Sequence, residues 1–167
     1  MPNIYQLLSQ FFTQVDALLK EKAIKQPLIT GIRTGGVWIA EALHQHLDSA
    51  HAPGSLDISF YRDDFSRQGL NTTVLPSTLP FQVDGRHLLL IDDVLMTGRT
   101  IRAVLNEIFD YGRPASVNLI ALCSINSREL PFQPDVCTLF INLKQGQYIQ
   151  LSGPQPLSLQ VINKVFS

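Results

Sequence analysis

The sequence predicts an α/β fold built on an open, mainly parallel central sheet flanked by helices, and three observations point to it. Short apolar runs that do not alternate with polar residues recur at residues 27–32, 87–91, 117–122 and 136–142, as strands buried on both faces require. Between several of these runs the apolar residues return at threes and fours, the spacing of one helix face. Glycine-bearing turns join runs to helical segments, giving the strand–turn–helix order of a doubly wound sheet.

Each element follows from the residues in turn. From residue 4 to 19, Ile4, Leu7, Leu8, Phe11, Phe12, Val15, Leu18 and Leu19 line one face of an amphipathic first helix. Pro27-Leu28-Ile29-Thr30-Gly31-Ile32 reads as a strand, Gly35-Gly36 as a turn and residues 37–47 as a second helix. Residues 51–55 form a Pro/Gly loop, residues 56–61 alternate like a strand, and a long polar excursion follows. Residues 87–91 (HLLLI) then make a buried strand with Asp92 and Asp93 at its end, before the turn Thr97-Gly98-Arg99-Thr100 and a helix over 101–111. Gly112 and Pro114 stop that helix. Strands over 117–122 and 136–142 follow, with a short one at 148–151, and PLSLQVINKVF closes the chain as an edge strand or a short helix.

Composition narrows the function. The chain has 167 residues, 45% of them hydrophobic, enough for one domain. A globular fold of this length buries roughly 70% of its unfolded surface, so neither a disulfide framework nor a structural metal is required. Its 13 basic and 14 acidic residues leave a net charge of −1, so any polyanion is held locally rather than by the whole molecule. Cys123 and Cys137 lie in apolar runs and read as buried thiols. His44, His46, His51 and His87 have no metal-ligand spacing. The first 20 residues lack a basic segment and carry Gln, Thr and Asp among the apolar ones, which argues against a signal peptide or a membrane span and for a cytoplasmic protein.

The chemistry concentrates in LLLIDDVLMTGRT, residues 88–100. An apolar strand delivers two adjacent carboxylates at its carboxyl edge, where open α/β sheets hold their ligands. The turn Thr97-Gly98-Arg99-Thr100 opens a helix, so its amides and hydroxyls gather at the positive end of the helix dipole and form an anion seat. Acids for vicinal hydroxyls or a hydrated Mg²⁺, beside a seat for phosphate, suit a sugar phosphate. A P-loop is excluded, because GxxxxGK[ST] is absent.

The same stretch resembles the phosphoribosyl-pyrophosphate (PRPP) signature of type I phosphoribosyltransferases. GIRTGGVWIAEAL (31–43), LDISFYRDDFS (56–66), DYGRPASVNLIAL (110–122) and RELPFQPD (128–135) resemble the PyrR group of pyrimidine regulators and uracil phosphoribosyltransferases. The resemblance implies a single phosphoribosyltransferase domain over 1–167, with a flexible arm over 62–80 and a small base-binding hood over 124–167. It implies Asp92 and Asp93 at the ribose and Mg²⁺, and Thr97, Gly98, Arg99 and Thr100 around the 5-phosphate. Arg33, Thr34, Gly35 and Gly36 would form the pyrophosphate loop, Arg62 of the arm would balance pyrophosphate charge, and Met96, Ser124, Asp135 and Val136 would border the base.

The implied reaction is Mg²⁺-dependent transfer of phosphoribosyl from PRPP to uracil, giving UMP and pyrophosphate, in a homodimer or homotetramer and combined with regulation of pyrimidine genes. Four departures bear on this. The group usually has Arg where Gly35 stands, purine-salvaging relatives have an acid where Met96 stands, Val-Asp-Arg-Gly-His is replaced by Cys123-Ser124-Ile125-Asn126-Ser127, and Gln133 replaces an Arg. Met96 favours a pyrimidine, whose N1 proton can leave without a general base. The loss of basic groups at Ser127 and Gln133 ranks RNA binding below enzyme activity. The alternative is a nucleotide-sensing regulator that has lost useful catalysis and acts on RNA or on another protein.

Overall fold

The computed structural model describes residues 1–59 and 76–164. Helix α1 (Ile4–Glu21) is capped by Asn3, whose side chain accepts the amide of Tyr5 at 2.9 Å. Its buried face, from Ile4 to Leu19, is the one the spacing predicts. Strand β1 (Leu28–Ile32) leads into α2 (Gly35–Leu47), which starts at the two glycines rather than after them. Strand β2 (Gly54–Leu56) precedes the expected strand at 56–61 and shares only Leu56 with it. Residues 57–59 are not strand, and residues 60–61 lie outside the described residues.

Strand β3 (His87–Leu95) is longer than expected, so Asp92 and Asp93 sit within its last turns of pleat instead of beyond it. Helix α3 (Arg99–Tyr111) and β4 (Ser116–Ile125) follow, then β5 (Val136–Ile141), β6 (Gln147–Ser152) and β7 (Ser158–Asn163). Within the closing segment, residues 158–163 are therefore strand.

Five strands form one parallel sheet in the order β2-β1-β3-β4-β5. Its core has two layers. Ile29, Leu89, Ile91, Ile120 and Leu122 face α1 and α2, while Leu28, Leu88, Leu90, Leu119 and Ala121 share the opposite layer with Ile101, Val104 and Ile108 of α3. Burial on both faces is why these strands show no alternation in the sequence. Strands β6 and β7 pair antiparallel as a separate ribbon. Its Leu151 and Leu159 join the layer of α1 and α2.

The expected hood over 124–167 is thus divided: β5 extends the main sheet, and only β6–β7 stands apart from it. Of the expected arm, residues 62–75 fall outside the described part, and residue 78 makes an isolated bridge to Ser55.

The amino end of β5 is tied by one carboxylate. Asp135 accepts the Leu119 amide at 2.8 Å and Lys22 Nζ at 3.1 Å, while its own amide donates to Leu119 O at 2.7 Å. Lys22 also donates to Asn118 at 2.6 Å, joining the end of α1 to β4 and β5. Asp135→Ala would leave the Leu119 amide without its side-chain acceptor and should cost about 1–3 kcal/mol. A urea titration showing an unchanged midpoint would contradict that role.

Candidate active site

The strand order places the site before any side chain is considered. The chain leaves β1 toward β2 on one side and returns through β3, β4 and β5 on the other, so the direction of winding reverses between β1 and β3. In open α/β sheets the crevice at such a reversal, outside the carboxyl ends of the strands, holds the ligand. Two of the segments singled out in the sequence, the turn 33–36 after β1 and residues 92–100 spanning the end of β3 and the turn beyond it, flank this crevice.

The loop after β1 lies against β3 because glycine allows it. A Cβ on Gly36 would stand 2.5 Å from the carbonyl oxygen of Ile91, and one on Gly31 would stand 2.5 Å from Gly36 O. At Gly35 a Cβ would collide with the carboxylate of Asp93. Asp93 therefore occupies the space in which a side chain at position 35 would begin. The Arg33–Thr34 peptide is cis. The Arg33 amide donates to Leu56 O at 2.9 Å and its guanidinium to Ser55 Oγ at 3.0 Å, so this arginine is anchored on β2.

The two acids differ in environment. Asp92 is buried, 3% exposed, and Asp93 is half-buried against the start of α2. Alternation along the strand, with Ile91 toward α1 and α2, places these neighbours on opposite faces. Among the described residues no three His, Cys, Asp or Glu side chains gather as a metal cage. With the two carboxylates on opposite faces, the site fits Mg²⁺ taken by one of them directly or by both through water, since that ion commonly binds one or two carboxylates and completes its shell with water and substrate oxygens.

The turn expected to seat an anion opens α3 directly. Gly98 adopts φ +94° and precedes the first turn of α3, Thr97 Oγ1 accepts the Arg99 amide at 3.2 Å, and the Arg102 amide donates to Gly98 O at 3.1 Å. Thr97 and Thr100 are half-buried. Arg99 Nε pairs with Glu129 at 2.7 Å across two exposed side chains, a contact worth little to stability.

A third loop, after β4, packs behind this turn. Glu129 and Leu130 both donate their amides to Thr97 O at 3.0 Å, and Arg128 donates to Met96 O and to Ser124 Oγ, the latter at 2.8 Å. Phe132 and Leu130 lie 3.1 and 3.3 Å from where a Cβ on Gly98 would be. Met96 is exposed at this end of the sheet, and Ser124 is buried beside Leu95 in the β3–β4 register.

Asp135 and Val136 are not brought here. A parallel strand has to begin on the same side of the sheet as its neighbours, so the chain leaving the carboxyl end of β4 crosses back before β5 starts. Val136 accordingly pairs with Ile120, and Asp135 is committed to Leu119 and Lys22. The expected base border thus narrows to Met96, Ser124 and the loop that follows β4. Arg62 lies outside the described residues.

The phosphoribosyl transferase domain model matches residues 2–150 of this chain. A bifunctional protein PyrR of Pseudomonas syringae pv. tomato is 52% identical over 161 residues, covering 96% of this chain and 95% of that protein. One from Pseudomonas fluorescens is 53% identical, covering 96% of each. The chain belongs to the phosphoribosyl transferase family, in its PyrR group. A hypoxanthine-guanine phosphoribosyltransferase of Bacillus anthracis has the same fold, with a TM-score of 0.67 at 13% identity over 88% of this chain and 82% of that one. Among the described residues of this phosphoribosyl transferase chain, no helix is long and apolar enough to cross a membrane.

The thiols behind the site are suppressed. Burial, with Cys137 and Asp93 nearby, pushes the Cys123 thiol up to about 12. Burial, partly offset by Leu139 and the Arg128 guanidinium, pushes Cys137 up to about 11. Both stay protonated at neutral pH, so alkylation of the native protein by iodoacetamide at pH 8, followed by mass spectrometry, should be far slower than for a free thiol. For the anion seat, Gly98→Ala would force a side chain into left-handed backbone against Phe132. The expected loss is roughly 1–2 kcal/mol, read from chemical denaturation.

Proposed function

We propose that this chain transfers the phosphoribosyl group of PRPP to uracil, forming UMP and pyrophosphate, and that it combines this activity with regulation of pyrimidine genes. The observation that carries the reading is the acid pair Asp92–Asp93 beside the glycine turn 97–100, both at the β1–β3 reversal. One end of that site suits a ribose and the other a phosphate, and the loop from Arg33 to Gly36 faces them across the crevice. The name carried by the Pseudomonas relatives, bifunctional protein PyrR, supports pairing an enzymatic role with a second one.

In this reaction the bond from the anomeric carbon to the pyrophosphate oxygen breaks and a bond to uracil N1 forms. Pyrophosphate departs with the bonding electrons, and the N1 proton passes to solvent. Catalysis is mainly positional and electrostatic. Amides and hydroxyls of Thr97, Gly98, Arg99 and Thr100 hold the 5-phosphate, while Asp92 and Asp93 orient the ribose and oppose the positive charge that develops at its anomeric carbon. Mg²⁺ held through Asp92 and Asp93, directly or through water, would neutralise charge on the pyrophosphate. Arg33, Thr34, Gly35 and Gly36 offer the pyrophosphate a close backbone approach, and Arg62 adds a cation from the arm. Met96 and Ser124 border the base, and Met96 provides apolar surface with no acid for a purine.

Pyrophosphate release from PRPP and Mg²⁺, measured with uracil, guanine, hypoxanthine and orotate in turn, tests the assignment. Uracil-dependent turnover is expected, and Asp92→Asn or Asp93→Asn should lower kcat by about 10²-fold or more while the folded protein persists. Near-normal rates in either variant would remove that acid from the mechanism. The second reading, a nucleotide-sensing regulator without useful turnover, is favoured by the replacement of the group's usual residues at Cys123-Ser124-Ile125-Asn126-Ser127. UMP binding with no turnover on any base would establish it, and salt-sensitive binding of a structured leader RNA would identify RNA as its target. Sedimentation equilibrium tests the homodimer or homotetramer that the family implies.

A further inference from the structure

The backbone of the anion seat is held from behind, and the way it is held decides where its amides point. The Met96 carbonyl accepts from the Arg128 guanidinium, and the Thr97 carbonyl accepts from the amides of both Glu129 and Leu130 at 3.0 Å. Both carbonyls are thus directed at the segment 128–130. Neither the Met96–Thr97 nor the Thr97–Gly98 peptide is cis, and across a trans peptide the C=O of one residue and the N–H of the next point in opposite directions. Fixing these two oxygens turns the amides of Thr97 and Gly98 to the other side, away from 128–130.

The two amides are not braced equally. Backbone donors fix the Thr97 carbonyl and hence the Gly98 amide, whereas the Met96 carbonyl, and with it the Thr97 amide, depends on the side chain of Arg128. That side chain is set in place by Ser124 at the end of β4, its Nη2 lying 2.8 Å from the serine oxygen. Its Nε is buried with no hydrogen-bond partner among the described residues. A half-buried guanidinium whose Nε–H is unpaired among the described residues is a costly way to stabilise a loop, but its two contacts join the ends of β3 and β4 where an anion would sit.

We propose that Arg128 is a positioning residue for phosphate binding: by holding the Met96 carbonyl it aims the Thr97 amide into the seat at 97–100. The proposal deepens the phosphoribosyltransferase reading and rests on it. It assigns to the loop after β4 a task separate from bordering the base, so a change in that loop acts on the phosphate as well.

The test measures ribose 5-phosphate binding by calorimetry for the unaltered chain, Arg128→Met and Arg128→Lys, together with KM for PRPP and kcat. The unaltered chain binds ribose 5-phosphate. Arg128→Met weakens that binding and raises KM for PRPP by about 10–100-fold, as loss of an aimed amide–phosphate contact implies, while kcat changes much less. Arg128→Lys, which keeps a donor able to reach the carbonyl, recovers part of the loss. Unchanged ribose 5-phosphate affinity in Arg128→Met, or a lysine variant no better than the methionine one, overturns the inference while leaving the transferase reading intact. Failure of the unaltered chain to bind ribose 5-phosphate overturns the reading and the inference together.

Discussion

The contact on which the site depends is between two backbones. The first turn of α2 rests directly on the carboxyl end of β3, where only hydrogen at Gly36 lets it approach, and Gly31 allows the same closeness to β1. A methyl group on Gly36 would meet the carbonyl of Ile91, one residue before the acid pair, and would force the helix off the sheet. Because that contact holds, the loop after β1 and the loop after β3 share one crevice. The reversal of strand order supplies the crevice, and the glycines set its width.

Three loops then meet at one sheet edge, each fastened at its back to a neighbouring element. Residues 33–36 are held by Arg33 on β2, and residues 96–98 by the segment that follows β4. The acids are part of β3 itself, paired into the ladder through Asp92 and Ala121. Such fastening matters electrostatically. Carboxylates set beside a phosphate seat repel the phosphates that the seat attracts unless cations lie between them, and fixed dipoles act only if they are already aimed. Preorganisation here comes from carbonyls captured behind the site and from a strand that carries its acids rigidly.

Much of this was legible in the residues, for reasons that can be named. Doubly buried strands announce themselves by uninterrupted apolar runs, and so β1, β3, β4 and β5 were expected where they occur. The acid pair and the glycine turn were adjacent in sequence, so their proximity in space required no long-range reasoning. Boundaries were less legible: Asp92 and Asp93 extend a strand that hydrophobicity alone ends at Ile91, because ladder pairing to β4 continues regardless of side-chain polarity. Asp135 and Val136 were expected at the base because they follow Ser124 in the chain. The return to the amino side before a parallel strand carries them away. The tie between Arg128 and Met96 joins residues 32 positions apart, and no local pattern foretells it. The stretch RELP carries a family resemblance in sequence, yet its contacts with the Met96 and Thr97 carbonyls exist only in three dimensions.

Gly35 shows what such packing means for variation among related chains. Seen as sequence, glycine in place of arginine is the loss of one positive charge. Seen in the fold, the vacated volume is filled by the carboxylate of Asp93. A side chain at position 35 and the present posture of Asp93 exclude each other, so the two positions form a single two-setting device. In the present setting position 35 adds no charge and the Asp93 carboxylate leans over the first turn of α2; any side chain at 35 requires that carboxylate to move. A side chain introduced at position 35 of this chain therefore displaces a negative charge as well as adding its own group.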